Sequence, residues 1–299
     1  MSNYFLYVFT VLIWGSTWLA IKFQLGVVDP MISVTYRFTL AALLLFAYCK
    51  VMGLKMTFTR REHLFIALQG LLLFSFNYWL VYLAEVHLTS GLVAVIFSMI
   101  IFMNIVNGRW LLGSPISPPM ILGALTGVSG LALIFWPEIS SFALSDLSLR
   151  GFLFGFAGAY LASLGNILSA RNQKHRIPVV QTNAFGMAYG AMFLLVFSIL
   201  VGKPFGFKFS FPYLTSLFYL AVLGSIVAFG LYLTLLGRIG ADKAAYVTLL
   251  IPVVALCIST LFEGYRWSGH GFTGLGLVLA GNVMVLRERA MRFSHRRRP

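Results

Sequence analysis

Ten apolar runs, each long enough to cross a hydrocarbon core of ~30 Å, recur about every 25 to 30 residues along the chain. They fall near residues 3–24, 31–50, 63–83, 88–107, 118–136, 151–170, 178–201, 212–236, 243–262 and 270–287. The gaps between them are short, and none could hold a separately folded soluble domain. Any chemical site must therefore be built from helices or their ends. Only 10% of the residues are charged and 60% are hydrophobic, against about 25% charged in a soluble domain. These patterns predict an all-α membrane protein with ten transmembrane helices.

A net charge of +14 would point to nucleic acid in a soluble protein. Here the basic residues lie between the apolar runs and at the C-terminus, so membrane topology explains them and no nucleic-acid partner is expected. With the N-terminus inside, the cytoplasmic connections and tail hold sixteen Lys and Arg: Lys50, Lys55, Arg60, Arg61, Arg109, Arg171, Lys174, Arg176, Arg238, Lys243 and the six C-terminal arginines. The outer connections hold four, Arg150, Lys203, Lys208 and Arg266. This bias predicts two cytoplasmic termini in a multi-pass protein of the inner (plasma) membrane. It also predicts that the basic tail, 288–299, lies along anionic lipids of the inner leaflet. The start of the chain has no basic stretch before its apolar run and no small-residue cleavage site, so that run reads as a retained first span.

The chain repeats itself. Gly123-Ala-Leu-Thr-Gly-Val-Ser-Gly130 in the fifth run matches Gly274-Leu-Gly-Leu-Val-Leu-Ala-Gly281 in the tenth, with glycines seven apart in both. Pro30 opens the second run and Pro178 the seventh, each suited to a first helical turn. The period is about 150 residues, or five spans, which divides the chain into 1–148, 149–287 and the tail 288–299. Because five is odd, the second copy must enter the membrane from the opposite side. An inverted repeat of this kind is an organisation of secondary transporters.

Several stretches in order carry a family resemblance: Trp14-Gly15-Ser16-Thr17, Tyr36-Arg37-Phe38, Ala84-Glu85 with Thr89-Ser90-Gly91 and Ser98, and Ile239-Gly-Ala-Asp-Lys-Ala-Ala245 leading to Pro252 and Glu263. Along nearly its whole length the chain resembles the drug/metabolite transporter superfamily, EamA type. The resemblance implies ten helices in two inverted five-helix repeats. It also implies an inner-membrane carrier exporting amino acids or similar small metabolites, with multidrug or nucleoside export as the alternative. The chain departs from the pattern at Ile100, where a helix proline is usual, and at Ser114, where a Glu is common. Its sixth run also lacks the tryptophan that often matches Trp14.

Trp14 and Trp18 are four apart and share a helix face with Thr17 beside them. Two Trp at mid-span depth fit poorly with anchoring at the membrane–water boundary. Arg37 lies ~10 Å below the outer end of its helix. A charge at that depth costs at least ~2.5 kcal/mol against lipid, so it should face the bundle interior. It would bind a substrate carboxylate with its planar fork of N–H groups, or cap carbonyls, or pair with Glu85 or Asp29. Asn77, Tyr78, Tyr82 and Glu85 form a polar strip on the outer half of the third span, and Asn166, Asn183, Tyr232 and Tyr246 are the second repeat's counterparts. Together these residues predict an aromatic, hydrogen-bonding cavity for a small molecule, with Arg37 on the carboxylate and Glu85 or Asn77 on the amino group. Pro252 removes a helical hydrogen bond in mid-span and is predicted to be a hinge.

No Asp or Glu lies near the centre of a span, and no nucleotide-binding motif is present. Facilitated diffusion is therefore the first expectation and proton antiport the second. Cys49 and Cys257 lie far apart in apolar surroundings and suggest neither a disulfide nor a metal site; no metal or cofactor is expected. Gly127-Val-Ser-Gly130 has the form of an intramembrane serine protease motif. All five histidines lie in loops or at span ends, where none could activate that serine. An enzyme is not expected, and the inverted repeat favours a carrier over a channel.

Overall fold

A computed structural model describes residues 1–24, 26, 28–142, 146–262 and 266–295, without the side chains of Trp18, Ser90 and 287–295. Its ten long helices are α1 Asn3–Lys22, α2 Pro30–Val51, α3 Arg60–His87, α4 Gly91–Leu112, α5 Pro118–Ile134, α6 Asp146–Lys174, α7 Val179–Leu200, α8 Phe211–Ile239, α9 Ala241–Phe262 and α10 Gly269–Leu286. All but α5 are long and apolar enough to cross a membrane. The α5 helix is 17 residues long and is followed by a short helix, Trp136–Ser140. Among the described residues there is no strand.

Local chemistry sets the helix ends. Asp29 accepts the Met31 amide at 2.9 Å and Pro30 takes a first-turn position of α2. The α3 helix starts at Arg60, three residues earlier than its apolar run, because Thr59 and Glu62 form a capping box. The Glu62 carboxylate accepts the Thr59 amide at 2.6 Å, and the Thr59 hydroxyl accepts the Glu62 amide at 3.3 Å. Gly113, at φ 68°, ends α4 in the left-handed conformation that glycine adopts freely.

The α4 helix is interrupted at Met99 and α9 at Ala245 and Tyr246, and two further interruptions, in α3 and α8, occupy corresponding places in the repeats. The α3 helix breaks at Phe74 and Ser75, where Ser75 has φ −134° and ψ −100°. The α8 helix passes through a π-helical stretch, Leu220–Val227, before resuming at Ala228. Neither break is marked by proline.

The neighbours of each helix reveal the repeat. The α5 helix packs along α10, and α2 along α7. The α1 helix packs on α8 and α9, just as its counterpart α6 packs on α3 and α4; α3 meets α7 as α8 meets α2. Adding five to each helix number thus carries each of these pairs onto another of them. With an odd number of crossings per copy, the arrangement is two inverted five-helix repeats.

The α5–α10 contact is backbone against backbone. A Cβ on Gly130 would come within 2.6 Å of the Gly274 carbonyl oxygen, and one on Gly274 within 2.8 Å of the Ile134 amide. Ser129 of the protease-like motif is exposed on the outside of the bundle while Gly127 and Gly130 face inward, so the motif serves helix packing.

The N-terminus and the later part of α10 lie at one end of the bundle. Arg238 Nη1 donates to the Met1 carbonyl at 2.8 Å, and Tyr7 donates its hydroxyl proton to Asn282 Oδ1 on α10. This is the termini end. At the far end Lys203 pairs with Asp29 at 2.9 Å, tying the α7–α8 connection to the start of α2. Between the two ends a column of rings fills the centre, with Phe38, Phe74 and Phe229 at centroid separations of 5.5 and 4.9 Å.

Candidate functional site

A cavity of about 180 Å³ runs from the centre of the bundle toward the far end. Its depth follows from where its lining residues fall on their helices. Glu85 and Ile21 lie one turn or less from the far ends of α3 and α1, whereas Asn166, Tyr232 and Thr248 lie at mid-depth. Below that floor the bundle is closed. Tyr246 is fully buried, and Asn104 Nδ2 donates to the Ala241 carbonyl at 2.9 Å.

Arg37 forms one wall. It is 2% exposed, and its Nε donates to Ser225 Oγ at 2.8 Å, while that hydroxyl donates to the Leu220 carbonyl at 3.0 Å inside the π-helical stretch. Ser225 is itself fully buried behind the cavity wall, so it supports Arg37 from within the π-helical stretch. The guanidinium carbon also lies 5.2 Å from the Tyr78 ring centroid and 5.4 Å from that of Phe38. Neither of the carboxylates expected as partners is engaged with it: Asp29 pairs with Lys203 instead, and Glu85 lines the cavity as a separate, half-buried group. Among the described residues, Arg37 has no ion pair.

Trp14 lines the cavity on the same Gly224-Ser225 segment that holds Arg37. Its Nε1 donates to the Gly224 carbonyl at 3.1 Å, and its ring lies 5.0 Å from both Phe229 and Tyr232. Gly224 is small because space is short: a Cβ there would come within 3.0 Å of Thr17 Cγ2 and 3.1 Å of Arg37 Nη2. Asn166 Nδ2 donates to the Tyr232 hydroxyl at 3.1 Å across the floor, and the Asn166 and Asn77 carbonyl oxygens, both buried, have no partner. Pro252 lines the cavity, and as a proline it cannot donate to the Thr248 carbonyl one turn before it.

Nine of the residues expected at the site therefore meet in one cavity: Trp14, Thr17, Arg37, Asn77, Tyr78, Tyr82, Glu85, Asn166 and Tyr232. Two do not. Asn183 is buried in α7, which packs on α2 and α3 outside the cavity wall. Tyr246 lies below the floor and donates its hydroxyl proton to the Met120 carbonyl of α5. The Trp18 side chain and Glu263 lie outside the described residues. Phe229, Phe97 and Ile100 also line the cavity, and Ser225 stands behind it as the partner of Arg37; helical facing alone does not mark them. The adjacent small pair Gly224-Ser225 was the one available signal on α8.

Comparison with known proteins decides the class. A match to the EamA-like transporter family covers residues 1–136 and again 149–287. The chain belongs to this family. It is a multi-pass membrane transporter and not an enzyme, with a small-molecule substrate and the lipid bilayer as its partners. Among EamA relatives, the uncharacterized transporter YoaV of Bacillus subtilis is 27% identical over 82% of this chain and 83% of that protein. The protein named "Probable amino-acid metabolite efflux pump" of Escherichia coli is 23% identical over 93% of this chain and 94% of its own length. The uncharacterized inner membrane transporter YedA of Escherichia coli is 27% identical over 92% and 87%. A solved crystal structure has the same fold, with a TM-score of 0.81 over 97% of this chain and 98% of that one at 18% identity. Among the described residues no three His, Cys, Asp or Glu side chains are grouped to hold a metal ion.

Proposed function

We propose that this EamA transporter exports amino acids or similar small amphipathic metabolites, and that the cavity is its substrate site. The observation that carries the reading is the unpaired Arg37 on one wall of a largely apolar cavity that has Glu85 at its mouth. Arg37 holds the substrate carboxylate through two parallel N–H donors. Trp14, Tyr78, Tyr82 and Phe229 enclose the apolar part, and Glu85 or the Asn77 carbonyl oxygen receives the ammonium group. The name of the Escherichia coli efflux pump supports the same substrate class.

The excess of Lys and Arg at the termini end supports a cytoplasmic location for that end, with the cavity toward the outer side. The basic tail lies along anionic lipids of the inner leaflet, and the relative named as an inner membrane transporter supports that location. Transport is facilitated diffusion by alternating access about the cavity, with 1–148 and 149–287 as the two moving repeats and Pro252 as a hinge.

Purified protein in proteoliposomes, offered a panel of radiolabelled amino acids with and without a pH gradient, tests this. Saturable uptake, indifferent to the gradient and abolished by Arg37→Ala, is expected. Uptake driven by the gradient would make the protein a proton antiporter. Transport of uncharged drugs or nucleosides with Arg37 dispensable would replace the amino-acid reading.

A further inference from the structure

Ala162, Asn166, Ser169 and Gln173 are spaced four, three and four residues apart on α6, so they follow one face of the helix. The first two line the cavity. The face then continues below the floor as Ser169 and Gln173, through a region that is otherwise closed. Asn166 is 1% and Ser169 2% exposed, and Gln173 is half-buried. Gln173 Nε2 donates to the Leu233 carbonyl of α8 at 2.8 Å and to Ser169 Oγ at 3.4 Å. Gly237 of α8 packs so closely on the Gln173 amide that a Cβ would overlap it. Ser169 is thus a buried polar side chain one turn below the cavity-lining Asn166, and Gln173 carries the same polar face to the last turn of α6, where an apolar face would pack α6 against α8 without burying a hydroxyl.

The repeat gives this face a role. Pro30 and Pro178, which open α2 and α7, are 148 residues apart. The same offset carries positions 14, 18 and 21 of α1 onto 162, 166 and 169 of α6. Trp14 and Ile21 are wall residues of the cavity. In an inverted repeat, exchanging the two copies' conformations turns a cavity open at one end into a cavity open at the other.

We infer that the Asn166–Ser169–Gln173 face of α6 is the wall of a second substrate passage, opening at the termini end when the carrier changes state. In the conformation described here, the Gln173–Leu233 bond and the Gly237 contact hold it shut. Its amides and hydroxyl offer neutral donors and acceptors, suited to handing on a small polar or zwitterionic solute without trapping it by charge. This inference rests on alternating access but not on the identity of the substrate.

Cysteine accessibility tests it. In a background with Cys49→Ala and Cys257→Ala, Ser169→Cys and Gln173→Cys are exposed to a membrane-impermeant maleimide in sealed vesicles of each orientation. Ile167→Cys, two residues from Ser169 on a packed face, is the control. Labelling of both positions from the membrane side that carries the termini, at least tenfold faster than the control, is expected. Ser169→Leu, which folds as a monodisperse protein, is expected to lose at least tenfold in transport rate. Labelling of Ser169→Cys no faster than the control in vesicles that transport actively would overturn the inference; if it misfolds, Gln173→Cys is read by the same criterion. Fast labelling in a protein that moves no amino acid would leave this inference standing and remove the substrate assignment.

Discussion

Arg37 on α2 is held by Ser225, 188 residues further along the chain, through a 2.8 Å hydrogen bond from its Nε into the π-helical stretch of α8. One repeat thus supplies the cation and the other the group that aims it. A hydrogen bond to a charged group is worth about 1.5–3 kcal/mol, so Ser225→Ala should raise KM for carboxylate substrates about tenfold or more. Arg37→Lys, which keeps the charge but loses the planar fork, should also raise KM, and Arg37→Ala should abolish saturable uptake. Proteoliposome kinetics across the three variants check the order.

Trp14 tests the aromatic wall. Trp14→Phe keeps the ring against Phe229 and Tyr232 but removes the bond to the Gly224 carbonyl. A single net hydrogen bond contributes about 0.5–1.5 kcal/mol. The melting temperature in detergent should fall slightly and substrate affinity several-fold, whereas Trp14→Ala should lose both together.

Gly130 and Gly274 bring α5 and α10 into direct backbone contact. Gly274→Leu should force the helices apart and cost about 1–3 kcal/mol or more, the range for overpacked cores. Loss of the monodisperse peak in size-exclusion chromatography reads the effect. Gly276→Ala, where nothing lies within 4 Å of an added Cβ, should leave the profile unchanged.

The Lys203–Asp29 pair sits at the far-end surface, with side-chain exposures of 39% and 18%. Exposed ion pairs contribute about 0–1 kcal/mol, so Lys203→Ala should shift the melting temperature by little. Asp29→Ala should do more, because Asp29 also caps α2 and a lost cap costs about 0.5–2 kcal/mol. Comparing the two melting curves separates the pair from the cap.

Pro252→Ala restores an amide that can donate to the Thr248 carbonyl and straighten α9. With Pro252 as a hinge, maximal transport rate should fall while substrate affinity, read by equilibrium binding, stays nearly constant. An equal loss in both would instead make Pro252 a simple wall residue.

The sequence by itself determined the helical membrane class, the repeat and most of the polar residues that line the cavity. Apolar length fixes a crossing because lipid offers no partner for a backbone amide, and glycine spacing marks α5 and α10 because only hydrogen side chains let backbones touch. Arg37 and Tyr78 were legible because polarity within a span needs a protected face, and Glu85 because it shares that face of α3. Only the tertiary structure decided what each polar group meets. Asn183 and Tyr246 share the polarity of the site residues, yet one is buried in α7 and the other bonds to the Met120 carbonyl of α5. No local pattern distinguishes a hydroxyl that faces a cavity from one that reaches a neighbouring carbonyl. The breaks in α3 and α8 likewise carry no proline. In α8 the irregular stretch is where Ser225 meets Arg37, and that meeting depends on packing between residues nearly 190 positions apart.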